Sequence, residues 1–304
     1  MFAGKSESNR PRVLVLANQR KETVRQALQD LLPWFEQRAA VTATLDLGTP
    51  AGWQNATKPP DADLAVVLGG DGTVLASARY LLEQQVPIMG VNFGKVGFLA
   101  EFNIDDLKLH WDQVVAGECR TTSRIMMVVS IQDPDKSIRG EQDSNMAPAL
   151  MAMNDAMITA GPPYRMIKLQ LAIDPTATQT NDTVFMGDGV LVSTPSGSTA
   201  YNLAAGGPII SPEVDAFCVT PICPQSLAFR PIIVNSTCQI CLRILEANEG
   251  TTLVLDGQVP IRLAVGQEVM ICRHSKSLHL IHKPDLSYWT KIATKMHWAA
   301  RPRS

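Results

Sequence analysis

Apolar runs and polar breaks alternate along the first hundred residues. Short, almost wholly apolar runs predict buried strands of a parallel sheet. They cover 12–17, 64–68 and 87–91. Between them, apolar positions recur at helical spacing, first from Val24 to Leu32, where Pro33 is expected to interrupt the helix, and again over 74–84. Strands that alternate with helices in this way predict a doubly wound α/β domain, which we place at 1–120.

The pattern changes after about residue 120. Many short β-rich runs separated by turn signals predict a second, mainly β domain, sandwich-like, at 121–283. A polar stretch at 132–148 is expected to form a flexible hairpin loop, and its role is not evident. From residue 284, apolar residues again recur at helical spacing, which predicts a C-terminal helix that packs on the first domain. The stripe consists of Leu286, Trp289, Ile292, Ala293 and Met296.

Composition excludes several classes of protein. The formal charge of -2 and a pI near 6.2 provide no general basic surface for nucleic acid. No apolar run approaches the roughly 20 residues that span a bilayer, and the polar amino terminus has no signal-peptide core. We therefore expect a cytoplasmic protein without a membrane partner. A protein of this charge that binds anions must do so through loops and backbone amides.

Six cysteines raise the question of zinc. Cys218 and Cys223 form one pair, and Cys238 and Cys241 form another, in a segment that reads as a strand. Residues three apart on a strand point to opposite faces, and no histidine is close in sequence. Reduced, buried thiols are the preferred interpretation over a structural zinc site.

The segment from Gly69 to Thr73 carries the clearest chemistry. Its sequence is GGDGT, at the junction between a buried strand and a helix. Glycines there let backbone amides approach phosphate oxygens, and the helix amino end adds partial positive charge. Asp71 would repel phosphate, so it is expected to accept a proton from an attacking hydroxyl or to help hold magnesium. The alternative is that Asp71 only caps the helix.

The same motif resembles that of NAD kinases, diacylglycerol and sphingosine kinases and, in a close variant, phosphofructokinases. Three further stretches are similar to NAD kinases in particular, and bacterial members are the most similar. They are NFGKVGFLAEF at 92–102, MND at 153–155 and GDGVLVSTPSGSTAYNLAAGGPIISP at 187–212. PICPQSLAFRPIIV at 221–234 and LDGQ at 255–258 complete a resemblance that runs from about residue 12 to 281.

The residue types in the stretch 187–212 also suit ligand binding, independently of the resemblance. Five Ser and Thr hydroxyls and Tyr201 lie within nine residues, 193–201, and such groups can read an adenine, a carboxamide and ribose hydroxyls without a cationic surface. The alternative is a Ser/Thr-rich turn and helix cap.

The resemblance implies an enzyme, a phosphotransferase that moves a phosphoryl group from ATP, or another nucleotide or polyphosphate, to the 2′-hydroxyl of the adenosine ribose of NAD. It implies Asp71 as the catalytic proton acceptor, and Gly69, Gly70, Gly72 and Thr73 at the donor phosphates. The implied NAD contacts are Asp71, Gly72, Phe98, Asn154, Asp155, Arg165, Asp188, Ser196, Thr199, Ala200, Tyr201, Asn202, Ala204 and Gln258. Mg²⁺ or another divalent cation would accompany ATP, and no protein ligand is assigned to it.

Relatives are dimers or tetramers, so the resemblance also implies a homo-oligomer. The family usually has Glu where this chain has Asp155, whose side chain is one methylene shorter, so its hydrogen bond to the ribose is expected to lengthen or to need a water. Two other functions stay open. One is a lipid kinase of the same superfamily, and the other is a non-catalytic NAD(H)-binding regulator. Donor range, preference for NAD or NADH, and allosteric regulation cannot be read from the sequence.

Overall fold

The computed structural model describes residues 10–47, 58–94, 97–133, 150–176 and 182–296. The predicted hairpin loop at 132–148 lies outside them, apart from its first two residues. The strands are β1 (Arg12–Ala17), β2 (Ala40–Asp46), β3 (Leu64–Leu68), β4 (Ile88–Val91), β5 (Thr121–Gln132), β6 (Leu150–Ala152), β7 (Asp155–Thr159), β8 (Ile167–Ile173), β9 (Asp182–Gly187), β10 (Gly189–Ser193), β11 (Ala216–Ile222), β12 (Ile232–Asn235), β13 (Ile240–Glu246), β14 (Thr252–Leu255), β15 (Val259–Arg262) and β16 (Glu268–Ile281). The helices are α1 (Glu22–Glu36), α2 (Asp71–Leu81), α3 (Ile104–Leu109), α4 (Trp111–Ala116), α5 (Tyr201–Ala204) and α6 (Tyr288–Met296). Two compact units result, one formed by 1–123 with 278–304 and the other by 124–277.

The first unit is built on a parallel sheet in the order β2-β1-β3-β4, with the end of β16 beside β4. Alternate residues of β1 point to opposite faces, so Val13 and Val15 join a core with Leu28, Leu31 and Phe35 of α1. Apart from Arg12, the residues of β1, β3 and β4 are buried on both faces of the sheet, which explains their apolar sequences. The predicted doubly wound α/β domain is confirmed.

Two helix predictions need correction. Helix α1 continues through Pro33 to Glu36, although proline has no N–H to donate within the helix. Phe35 is fully buried, and its ring meets the Trp111 ring edge-on, with the centroids 5.5 Å apart. Packing therefore holds the helical turn that proline disfavours.

In α6 the predicted apolar stripe is only partly a packing face. Ile292 is buried, but Trp289 and Ala293 are exposed, and the other buried side chain is that of Lys291.

The second unit is mainly β, as predicted. One antiparallel sheet has the order β12-β11-β10-β7-β14-β15. A second consists of the antiparallel strands β16, β13, β8 and β9, and β5 pairs with β16 and with β6. None of the described helices is both long and apolar enough to span a membrane.

Candidate active site

The strand–helix junction in the first unit is shaped by its glycines. Gly69 follows β3, and a Cβ there would lie 2.8 Å from the Cβ of Thr73, closer than side chains pack. Gly70 begins α2 as its N-cap, and a Cβ there would meet no atom within 4 Å. Backbone is therefore exposed on the outer side of the junction, at the partially positive amino end of an 11-residue helix.

Asp71 does not cap its own helix; it holds a distant segment. Its Oδ2 accepts a hydrogen bond from the amide of Phe98 at 2.8 Å. Its Oδ1 accepts two, from the amides of Leu99 at 3.1 Å and Ala100 at 2.9 Å. An ionised carboxylate offers about four acceptor sites, so one site on Oδ2 is left. The interpretation of Asp71 as a simple helix cap is wrong.

The segment that Asp71 holds can approach only because two further residues lack side chains. A Cβ on Gly97 would overlap the Asp71 carboxylate. A Cβ on Gly90, in β4, would lie 2.8 Å from the Cα of Ala100. The glycines of the GGDGT motif are thus matched by glycines on the other side of the carboxylate.

A buried ionic cluster lies immediately beyond this segment. Glu101 accepts from His282 Nδ1 at 2.8 Å and from the Lys283 amide at 3.2 Å, and it pairs with the ammonium of Lys291. His282 also contacts Thr122 through Nε2, at 2.6 Å. Burial opposes ionisation of Glu101, but the His282 hydrogen bond and the Lys291 charge outweigh it and lower its pKa. Helix α6 is thereby fastened beside the Asp71 segment.

A second cation from α6 lies at the same place. Lys295 Nζ stands 4.6 Å above the centroid of the Phe98 ring. Burial lowers the pKa of Lys295, and the nearby charge of Asp71 partly opposes that shift. Phe98 itself is half-buried, so one part of its ring remains accessible.

In the second unit, Asp256 organises the Asn154–Asp155 pair. Its carboxylate accepts from the amides of Met153 at 3.1 Å, Asn154 at 2.7 Å and Asp155 at 3.2 Å. Burial, with the adjacent Asp256 charge, raises the pKa of Asp155 to about 7. The side-chain oxygen Asn154 Oδ1 is buried without a hydrogen-bond partner, which marks a place where a ligand donor would fit.

The hydroxyl-rich turn after β10 packs against this pair. The backbone amide of Thr194 donates to the Asn154 carbonyl at 2.9 Å. The Thr194 hydroxyl donates to the Met153 carbonyl at 2.5 Å. A Cβ on Gly197 would overlap the Asn154 carbonyl, so only glycine permits the contact. Gln258 follows Asp256 in the β14–β15 turn and is half-buried. The structure thus brings these predicted residues together.

Several of the polar groups in this turn are used inside it. The Ser198 hydroxyl donates to the Pro195 carbonyl at 2.7 Å, and the fully buried Asn202 amide accepts from Thr220 at 2.7 Å. These side chains support the turn and do not face outward. The predicted contacts that are half-buried or exposed are Ser196, Thr199, Ala200, Tyr201 and Ala204.

Asp188 and Arg165 lie elsewhere in the second unit. Asp188 precedes β10, whereas Thr194 follows it, so the two are about 20 Å apart along the strand direction. The Asp188 carbonyl accepts from Ala160 at 2.8 Å, which places the start of the loop that carries Arg165 at the same end. Arg165 lines an open cavity of about 670 Å³ together with Pro162 and residues 246–249.

Comparison with known proteins accounts for both units. Residues 13–119 match the ATP-NAD kinase N-terminal domain, and residues 153–283 match the ATP-NAD kinase C-terminal domain. The NAD kinase of Geotalea daltonii is 37% identical over 243 residues, 80% of this chain and 81% of the relative. That of Geobacter metallireducens is 32% identical over 277 residues, 90% of this chain and 93% of the relative. The chain belongs to the NAD kinase family.

Solved structures of NAD kinases share the fold. Yeast NADH kinase complexed with NADH is similar with a TM-score of 0.80 and 25% identity, covering 98% of this chain and 90% of that one. An NAD kinase from Archaeoglobus fulgidus in complex with ATP has a TM-score of 0.65 and 22% identity, covering 90% and 94%. Family membership makes this chain a phosphotransferase that acts on a hydroxyl group of NAD, and nothing favours the lipid kinase or the non-catalytic regulator.

Three residues of this NAD kinase fold escaped the sequence reasoning. Asp256 lies in the LDGQ stretch, but no role is predicted for it, although an acidic residue two positions before Gln258 is a usable hint. Glu101 lies inside the 92–102 motif, where a charged residue among apolar ones was the signal. For Lys291 the sequence contains no such signal, because its hydrogen-bond partners are distant in sequence.

Proposed function

We propose that Asp71 accepts the proton of the 2′-hydroxyl of NAD while that oxygen attacks the terminal phosphorus of ATP. The bond from this phosphorus to the bridging oxygen breaks, and ADP leaves. The observation that carries this is the carboxylate's geometry: three backbone amides fix its position and leave one acceptor site on Oδ2. A hydroxyl that donates to this site is oriented, and its proton has a destination. Phosphoryl transfer gains most from such positioning, with the proton leaving late.

The donor phosphates are proposed to lie over Gly69–Thr73. Open space beside Gly70 and the amino end of α2 suit a polyanion. Lys295 adds a cation above Phe98, close enough for the Asp71 charge to act on it. Mg²⁺ or another divalent cation is proposed to accompany the donor, since Mg²⁺ commonly binds substrate phosphates and keeps several waters. That ion would neutralise charge on the transferred group.

NAD is proposed to be read by the second unit. The unpartnered Asn154 Oδ1 suits an amino group such as that of adenine, and Asp155 suits ribose hydroxyls. Thr199, Ala200, Tyr201 and Gln258 are proposed to complete the contact, with Phe98 beside the adenosine. Asp188 and Arg165, at the other end of β10, would meet another part of the ligand or another copy in the homo-oligomer that the family resemblance implies.

Asp71→Asn tests the proton acceptor. We expect turnover to fall by about 10²- to 10⁴-fold, the range contributed by general bases, while NAD binding persists. NADP formation would be measured with ATP and magnesium, and NAD binding by calorimetry.

The matched control is Asp105→Asn. Asp105 also stands in the first turn of a helix, α3, but is exposed, so its replacement should leave turnover unchanged. Near-wild-type activity of Asp71→Asn, with the fold confirmed by circular dichroism, would refute the assignment.

A further inference from the structure

The carboxyl-terminal helix brings a charged side chain into the interior beside the Asp71 segment. Lys291 is only 3% exposed, although it stands in a helix whose Trp289 is mostly exposed. Burying an ammonium costs several kcal/mol unless its hydrogen bonds and charge are satisfied. Lys291 meets two acceptors: a carboxylate oxygen of Glu101 and, at 3.3 Å, the carbonyl oxygen of Phe98.

The second of these contacts acts on a peptide group that also touches Asp71. The Phe98 carbonyl and the Leu99 N–H belong to one planar peptide unit. The ammonium of Lys291 donates to the Phe98 carbonyl oxygen of this unit, and the Leu99 N–H of the same unit donates to Asp71 Oδ1 at 3.1 Å. The unit is therefore held at both ends, by a cation and by an anion. Hydrogen bonds at the two ends of a peptide polarise it in the same sense and strengthen one another.

The charge balance of Lys291 does not depend on Phe98. Glu101 neutralises Lys291 and also accepts from His282 and from the Lys283 amide. If the lysine served only to fasten α6, this ionic cluster would suffice. The contact with the Phe98 carbonyl is additional. It lies on the opposite side of the peptide from the Asp71 carboxylate, because the C=O and N–H of a trans peptide point in opposite directions.

We propose that Lys291 is a positioning residue for phosphoryl transfer, which fixes the Phe98–Leu99 peptide and, through it, the orientation of the Asp71 carboxylate. The inference rests on the proposed role of Asp71 as proton acceptor. Lys291 touches no reacting atom. Its loss should loosen the carboxylate and lower kcat, while substrate contacts made elsewhere leave KM unchanged.

The test must separate positioning from stability. Lys291→Met alone leaves Glu101 buried without its main cation, so it is expected to destabilise the protein. The double variant Glu101→Gln with Lys291→Met removes both charges and should recover most of the lost melting temperature. We expect its kcat to stay about 10- to 100-fold below wild type. KM for NAD and ATP should stay within about threefold.

A second double variant supplies the conservative rescue. Glu101→Gln with Lys291→Gln has the same charge as the methionine version but keeps an N–H donor for the Phe98 carbonyl, so part of the kcat should return. Thr294→Ala is the control on the helix: it removes only hydrogen bonds within α6 at an exposed residue and should leave kcat unchanged.

Wild-type kcat in the folded double variant Glu101→Gln with Lys291→Met would overturn the inference. If that variant does not fold, Glu101→Gln with Lys291→Ala, which also lacks a donor for the Phe98 carbonyl, takes its place. Wild-type kcat in it overturns the inference, and a lower kcat with faster hydrogen exchange of the Leu99 amide supports it. Asp71→Asn is assayed in parallel. Active Asp71→Asn means that the proposed function fails, whereas inactive Asp71→Asn beside a fully active double variant means that only the positioning role fails.

Discussion

Gly97 shows how much the site depends on a missing side chain. Its Cα faces the Asp71 carboxylate so closely that a methyl group would occupy the position of Oδ1. The carboxylate and the three amides that hold it would have to move apart. The same position in an ordinary loop would tolerate alanine.

We therefore expect Gly97→Ala to reduce kcat by about 10- to 100-fold, since a displacement near 1 Å has that effect on a positioned group. Steady-state kinetics would measure it. Gly94→Ala is the matched control in the same loop, because a Cβ there would meet only Asn92 Oδ1, at 3.9 Å. Equal activity of the two variants would contradict the tight packing around Asp71.

At the scale of elements, the β14–β15 turn and the connection from β6 to β7 form one acidic unit. Asp256 belongs to the turn and Asp155 begins β7, and both carboxylates are buried. Asp256 is compensated by three amides, so the cost of a second charge falls on Asp155. This explains why the pKa of Asp155, at about 7, is the one that is raised.

A pH dependence follows from that pKa. Between the ordinary value of 3.8 and about 7, the folded protein keeps the Asp155 proton that the unfolded chain loses, so the free energy of unfolding should fall as the pH rises through this window. In Asp155→Asn this contribution disappears, and the variant should gain stability relative to wild type at about pH 8 more than at about pH 5. Urea unfolding at the two pH values measures it. A difference between variant and wild type that does not change with pH would show that Asp155 titrates normally.

The elements differ in how well the sequence predicts them. β1, β3 and β4 are buried on both faces, so their apolar runs identify them directly. β2 passes unnoticed because it is half exposed and has no such run. In α6 the periodicity predicts a helix correctly but misjudges the buried face, since the burial of Lys291 depends on Glu101, 190 residues away.

In the candidate site, too, features that depend on local sequence are predictable, and those that depend on distant partners are not. Asp71 and its glycines are recognisable because their chemistry is local to one junction. The partners that fix Asp71 belong to residues 98–100, and no spacing rule connects those amides with a carboxylate 27 to 29 residues earlier. The resemblance predicts Asn202 as an NAD contact, and no feature of the motif indicates that its side chain is buried and accepts a hydrogen bond from Thr220.

For the whole chain, the Glu101 cluster connects acid stability with the active site. Because its pKa is lowered below 4.5, Glu101 contributes stability that is present above pH 4.5 and is lost as the pH falls through its folded-state pKa. We expect the wild-type melting temperature to drop more between about pH 6 and about pH 3 than that of the Glu101→Gln, Lys291→Met double variant. Scanning calorimetry would compare them, with Asp105→Asn as a control for a surface carboxylate. Parallel curves would show that the cluster does not govern acid unfolding.

The Phe98–Leu99 peptide, held from two sides, also has a consequence during protein synthesis. Its carbonyl partner Lys291 is 193 residues further along the chain. At translation rates of roughly 5–20 residues per second, the ribosome needs on the order of 10 to 40 s to add them. During that interval a nascent chain can form the strand–helix junction and the Asp71 contacts, but not the support from behind. Newly made molecules should therefore acquire the structure of the Gly69–Thr73 junction before the peptide that supports Asp71 becomes fully rigid.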